Sequence, residues 1–217
     1  MRGVALCGVL DHEGLQKLSA LAVDRRVGAG ATLFQEGDPA DDVFTITSGM
    51  LKLIKPMRDG RRQITGFMLP GDFLGLAFGR TYVYSAEAVS ESHLCRFSRA
   101  EFVALMDRFP ALEKGLLGRV STELAAAQEQ MLLLGRKTAR ERVATFLVSL
   151  CRRQGVGSGQ KLELAMARSD LADYLGVRTE TISRCLTALR KERMIELPDP
   201  DHVVVTSLPR LEQAAEG

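Results

Sequence analysis

Four textures follow one another along the chain. Between His12 and Ala22, Leu15, Leu18, Leu21 and Ala22 fall at helical spacing, which predicts a short amphipathic helix. From about Val27 to Phe97 the period drops to two. Phe44 and Ile46, then Leu51 and Leu53, alternate with polar residues as half-buried strands do. Turn signals (EGDPADD, TSGM, RDGRR, LPGDF) cut these runs, with Gly37, Gly49, Gly60 and Gly71 at the bends, and predict a small sandwich or barrel. Helical spacing returns from about Arg99 to Arg136. There Leu112, Leu116, Val120, Leu124, Ala127, Met131 and Leu134 recur at the mixed three-and-four steps of a coiled-coil seam. The stripe can face the chain's own β-domain or a second copy. The helix's length favours the second copy, although Gly115, Gly118 and Gly135 lower its helix propensity.

The fourth texture begins near Lys137. TARERVATFLVSL is an amphipathic helix with Val143, Phe146, Leu147 and Leu150 inward, and RQGVGSGQ reads as a flexible loop. SDLADYLG is a short helix, with Ser169 as its expected N-cap and Gly176 as its end. A second helix follows in LGVRTETISRCLTALRKE, then a hairpin in IELPDPDHVVVTS. Two helices on a tight turn followed by a hairpin make a winged helix-turn-helix. The expected class is therefore α+β, with segments at residues 1–98, 99–136 and 137–217.

Composition narrows the function. The 217 residues are 46% hydrophobic, enough for one or two cores. No apolar run reaches membrane-spanning length and no basic lead precedes an apolar one, so a soluble cytoplasmic protein without a membrane partner is expected. Net charge is only +2, yet Lys137–Arg193 holds 12 Lys and Arg against 6 Asp and Glu. That asymmetry is either a solvated helical surface or a footprint for a polyanion. Cys7, Cys95, Cys151 and Cys185 are far apart, so no disulfide framework is suggested. His12, His93 and His202 are scattered, and no Ser-His-Asp or Cys-His arrangement is legible, which argues against an enzyme.

On a helical wheel, Ile182, Leu186 and Leu189 turn inward with Cys185 beside them, and Glu180, Ser183, Arg184, Thr187 and Lys191 turn outward. Arg is the side chain that bonds guanine O6 and N7 together, and a carboxylate accepts from cytosine N4. Ser183 is short enough to approach thymine or phosphate. Arg168, Ser169, Arg178, Thr179 and Thr181 lie at helix starts, where backbone phosphates are held. Spacing alone leaves Glu180 and Arg184 open to a second reading, an i,i+4 surface ion pair with no function.

The residues ETISR (Glu180–Arg184), MLLLGRKTARERVA (Met131–Ala144), ADYLG (Ala172–Gly176) and GRRQITGFMLPGDFLGL (Gly60–Leu76) resemble the CRP/FNR family of bacterial transcription regulators, closest to its FNR and FixK branches. The resemblance covers nearly the whole chain. It implies a cyclic-nucleotide-binding-type β-roll, a long dimerisation helix and a C-terminal winged helix-turn-helix. It implies a homodimer on double-stranded DNA that recruits RNA polymerase and activates genes of low-oxygen respiration or nitrogen metabolism. Glu180, Ser183 and Arg184 match the residues that read TTGAT half-sites in an inverted repeat. The CRP branch has an Arg just before that Glu and prefers TGTGA; here the position is Thr179. Arg178 departs from the small hydroxyl residue of many relatives. The turn Arg58–Arg62 is a candidate polymerase contact.

The resemblance also frames what is sensed. In the phosphate cassette, Leu76 stands where the ribose-binding Glu would be and Tyr84 where the phosphate-binding Arg would be, with Arg80 nearby. A buried phosphate would then lack its cation, which argues against cyclic AMP. FNR-type sensing uses an iron–sulfur cluster on four cysteines. Cys95 matches the internal ligand and Cys7 the last of the N-terminal three, and two cysteines cannot hold such a cluster. Three readings stay open: a FixK-like protein with no cofactor, a start upstream of Met1 with two more cysteines, or core cysteines only. No histidine lies in a recognisable haem motif. The expectation is no cofactor, the alternative an effector-gated sensor.

Overall fold

The computed structural model describes residues 10–75 and 79–217. Cys7 and Leu76 lie outside the described residues. The chain divides into two compact units inside one helix, between Ala125 and Ala126. The middle segment expected at residues 99–136 is therefore shared between two units.

In the first unit the elements are α1 (His12–Leu21), β1 (Val23–Val27), β2 (Thr32–Phe34), β3 (Asp42–Ser48), β4 (Leu51–Pro56), β5 (Arg62–Met68), β6 (Phe73–Leu74), β7 (Ser85–Ala88), β8 (Ser92–Ser98), α2 (Arg99–Arg108) and the start of α3 (Pro110–Arg136). Two four-stranded antiparallel sheets, ordered β1-β8-β3-β6 and β2-β7-β4-β5, form the β-roll. Phe34, Phe44, Ile46, Leu51, Leu74 and Leu94 fill its interior. β3 is buried on both faces: Phe44 and Ile46 point inward, while Val43 joins Leu18, Phe97, Phe102, Leu105, Leu112 and Leu116 in a second core with the helices. The bend after β3 requires glycine. Gly49 has φ +84°, and a Cβ there would lie 2.3 Å from the Glu91 carbonyl oxygen.

The helical stretch expected from Arg99 to Arg136 is two helices. Phe109, with φ −126° and ψ 85°, precedes a proline and is held out of the helical region. Pro110 then opens α3, where its missing N–H costs nothing. Arg119 pairs with Asp72 and donates to the Gly71 carbonyl, which ties this part of α3 to the β5–β6 turn.

The second unit begins with the last turns of α3 and continues through α4 (Ala139–Gln154), β9 (Gln160–Glu163), α5 (Arg168–Leu175), α6 (Thr179–Lys191), β10 (Ile195–Asp199), β11 (His202–Val205) and α7 (Leu208–Glu216). Thr138 and Glu141 form a capping box at the start of α4, and Gly155 ends it in the left-handed region. The hairpin β10–β11 gains β9 as a third strand, which starts at Gln160, the last residue of the stretch expected to be a loop. Val143, Phe146, Leu147, Leu150, Ile182, Leu186 and Leu189 are all buried, on the faces their spacing predicts. Ser169 does not cap α5: the helix starts two residues sooner, with Ala167 as its N-cap and no side-chain cap bond. After α6, Arg193 is the one non-glycine described residue at positive φ (55°). Among the described residues no helix is long and apolar enough to cross a membrane.

Candidate nucleic-acid interface

The face of α6 opposite its buried leucines is chemically open. Glu180, Ser183, Arg184 and Lys191 are exposed. Ser183 and Thr187 turn their hydroxyls back to carbonyls one turn earlier, Thr179 at 3.3 Å and Ser183 at 2.8 Å, so neither reaches across to Arg184. Ser183, Arg184, Thr187, Ala188 and Lys191 line a shallow groove of about 360 Å³. Glu180 and Arg184 make no ion pair with each other or with any other described residue, so the surface-pair reading does not hold in this structure.

Charge around this face is uncommitted. Arg178, Arg184, Arg190, Lys191 and Arg193 are exposed and make no ion pair with any described residue. Several other cations of the unit are engaged, among them Arg140 with Glu192, Arg152 with Glu212, and Arg142 with backbone carbonyls. Arg178 is the N-cap of α6 and supplies no capping oxygen. Thr179 opens that helix and Thr181 lies half-buried in its first turn. Ser169 is exposed in the first turn of α5. Arg168 differs from a free surface cation: its Nη2 donates to the Pro200 carbonyl at 3.2 Å and its Nη1 is buried without a partner. Burial lowers its pKa from the usual arginine range, against the pull of Asp201. The hairpin tip is braced by Asp199, whose carboxylate lies 2.6 Å from His202 Nδ1 and 3.6 Å from Lys161 Nζ. The His202 contact is the main cause holding that carboxyl below its ordinary value.

The seam expected on α3 splits. Leu112 and Leu116 belong to the first unit's own core. Leu134 is half-buried against Gly176 in the second unit. Val120, Leu124, Ala127 and Met131 are exposed, Leu124 at 58% and Met131 at 68%. Leu117, also 68% exposed, was not part of the expected seam. Leu117, Val120, Leu124, Ala127 and Met131 run at steps of three, four, three and four, which is the stricter heptad signal.

Aromatic side chains pack within the β-roll. Phe34 stacks on Tyr82 with centroids 3.8 Å apart and sits 5.8 Å from Tyr84. The Tyr84 hydroxyl accepts the Gly75 N–H at 3.3 Å, and the Tyr82 hydroxyl donates to the Asp42 carbonyl at 2.8 Å. Burial raises both phenols, Tyr82 to about 12. Arg80 is exposed. A cyclic phosphate does not fit these residues: the place of its cation holds a phenol already engaged by the backbone.

Cys95 is half-buried against the second core of the first unit. Cys151 is fully buried, which pushes its thiol up to about 11. Cys185 is half-buried and its thiol is raised by burial, partly offset by Arg140. Among the described residues no group of three or more His, Cys, Asp or Glu side chains is placed to hold a metal ion.

Residues 24–109 match the cyclic nucleotide-binding domain family, and residues 141–214 match the Crp-like helix-turn-helix domain family. The chain belongs to the CRP/FNR family. Among its relatives, the transcriptional activatory protein AadR of Rhodopseudomonas palustris is 40% identical over 219 residues, covering 99% of this chain and 90% of that protein. The nitrogen fixation regulation protein FixK of Azorhizobium caulinodans is 42% identical over 193 residues, covering 88% of this chain and 78% of that protein. Among solved members of the family, FixK2 from Bradyrhizobium japonicum is similar with a TM-score of 0.84 and 33% identity, covering 89% of this chain and 96% of that one. These relatives are regulators of transcription rather than enzymes, and this family member is not an enzyme.

Proposed function

We propose that this chain is a homodimeric transcriptional activator of the FNR/FixK type that reads a TTGAT-N4-ATCAA palindrome. The observation that carries this reading is the pair Glu180 and Arg184, exposed on α6 with no ion-pair partner among the described residues, amid four further uncommitted cations. TTGAT contains one G·C pair. Arg184 bonds guanine O6 and N7, and Glu180 accepts from cytosine N4. TGTGA contains a second G·C pair, and Thr179 offers no cation to read it. Ser183 lies beside them for a thymine or phosphate. Arg168, Arg178 and the first turns of α5 and α6 hold the backbone and fix the register.

Two copies pair along Leu117, Val120, Leu124, Ala127 and Met131. No side chain in that row is ionisable, so pairing buries no charge. The two α6 helices then enter successive major grooves, about 34 Å apart. Activity without a bound cofactor is part of the proposal, supported by the backbone bonds that already engage the Tyr82 and Tyr84 hydroxyls. RNA polymerase is the partner that makes the bound dimer an activator, and the exposed turn Arg58–Arg62 is a candidate contact. The pathway is low-oxygen respiration or nitrogen metabolism, the second in keeping with the name of the FixK relative.

The test is binding of the full chain, purified in air, to a TTGAT-N4-ATCAA duplex, with a TGTGA palindrome as control and salt as a variable. Tight TTGAT-selective binding that falls steeply with salt is expected. Equal binding to both palindromes would remove the base-reading roles. A Leu124→Asp chain is expected to sediment as a monomer and to lose about 100-fold or more in palindrome affinity, because the partner would bury an unpaired carboxylate.

A further inference from the structure

The last turns of α3 and the C-terminal end of α5 share one cation. The Arg142 guanidinium, half-buried on α4, donates Nη2 to Leu134 O, Nε to Lys137 O and Nη1 to Leu175 O, each at 2.9 Å. Two of these carbonyls lie at the end of α3 and in its link to α4, and the third ends α5. Helix-end carbonyls lack partners within their own helix, and a cation there also meets the negative end of the helix dipole. The guanidinium is planar with donors in a fixed fork, so it sets direction as well as distance. A second tie lies beside it: Gln130 Nε2 donates to Tyr174 O at 3.0 Å. The approach is close. Gly176, at φ +63°, would place a Cβ 3.3 Å from Leu134 Cδ2 and 3.5 Å from Arg142 Nη1.

We infer that Arg142, assisted by Gln130, is a positioning residue that fixes the end of α5, and through the short α5–α6 turn α6 itself, against the last turns of α3, and thereby sets the half-site spacing a dimer accepts. Its effect reaches DNA through geometry, because all three of its bonds go to backbone carbonyls. The inference rests on the dimeric reading above. The phenotype it implies is loss of spacing discrimination with base discrimination intact.

The experiment measures affinity of the full chain for TTGAT palindromes with N3, N4 and N5 spacers. Arg142→Gln is expected to cut the preference for N4 over N5 by about tenfold, the scale of one charge-assisted hydrogen bond. Arg142→Lys keeps the charge without the fork and is expected to restore part of it. Gln130→Leu is expected to cut the preference about threefold and guards against failure of the first variant to fold. The TTGAT-over-TGTGA ratio should not move in any of them. A second readout needs no DNA: the spread of label–label distances between Glu129→Cys and Lys191→Cys, with the native cysteines changed to alanine and labelled chains diluted in unlabelled ones. The spread should widen with Arg142→Gln. Unchanged spacing preference with unchanged spread would overturn the inference. A wild-type chain with no palindrome preference would remove the dimeric reading instead, and the spread alone would then decide the role of Arg142.

Discussion

Inside the β-roll, Phe34 stacks on Tyr82 and the Tyr84 hydroxyl is taken by a backbone N–H; on α6, Glu180 and Arg184 have no ion-pair partner among the described residues. The first region lies within the cyclic nucleotide-binding match, the second within the helix-turn-helix match. Their contrast is between polar groups already engaged within the fold and polar groups left open at its surface. A surface that must meet a ligand leaves strong donors and acceptors unsatisfied, because water holds them until the partner arrives.

The comparison can be broken at its closed end first. Phe34→Ala removes a buried ring from the β-roll and is expected to cost about 3–5 kcal/mol of stability, read by denaturant unfolding. TTGAT selectivity of the surviving folded fraction should not change; a loss of selectivity would mean that the two regions are coupled. At the open end, Arg184→Ala is expected to cost about 1–3 kcal/mol on the TTGAT palindrome and far less on scrambled DNA. Equal losses on both would reduce Arg184 to a phosphate contact. Burial predicts a difference in thiol chemistry as well. Cys151, with its thiol pushed up to about 11, holds its proton at neutral pH, so native-state alkylation should be negligible at pH 8 and rise only as pH approaches that value. Rapid alkylation at pH 8 would mean that the core around α4 opens. The smallest effect sharpens the comparison most. A ligand at 100 times its Kd would add about 2.7 kcal/mol of stability, whereas cyclic AMP is expected to leave the melting temperature unchanged.

Much of this contrast was legible in the sequence, and the gaps have physical causes. α6 announced itself because one side is buried and the other wet, so Ile182, Leu186 and Leu189 stand out at helical spacing. β3 was only half legible: it is buried on both faces, and alternation hides Val43. β9 escaped because its pattern is short and follows a run of glycines, and only pairing with β11 makes it a strand. α7, missed altogether, packs on α4 through a short apolar face, Leu211, Ala214 and Ala215, that in sequence resembles a tail. On α3, spacing identified a stripe but could not say where it passes from the chain's own core to an exposed row. Leu116 and Leu117 are neighbours in sequence and face opposite environments. Of the site, the identity of Glu180, Ser183 and Arg184 came from chemistry and resemblance together. The lack of an ion pair between Glu180 and Arg184 required coordinates.

Arg193 carries one more consequence. A residue other than glycine in the left-handed region is strained by roughly 1–2 kcal/mol, and glycine would relieve most of it. That same substitution would delete one of the five free cations beside α6. Screening this protein for heat resistance alone would therefore select against its grip on DNA, and a thermostable variant carrying Arg193→Gly should be checked for weakened, less salt-sensitive binding before it is used.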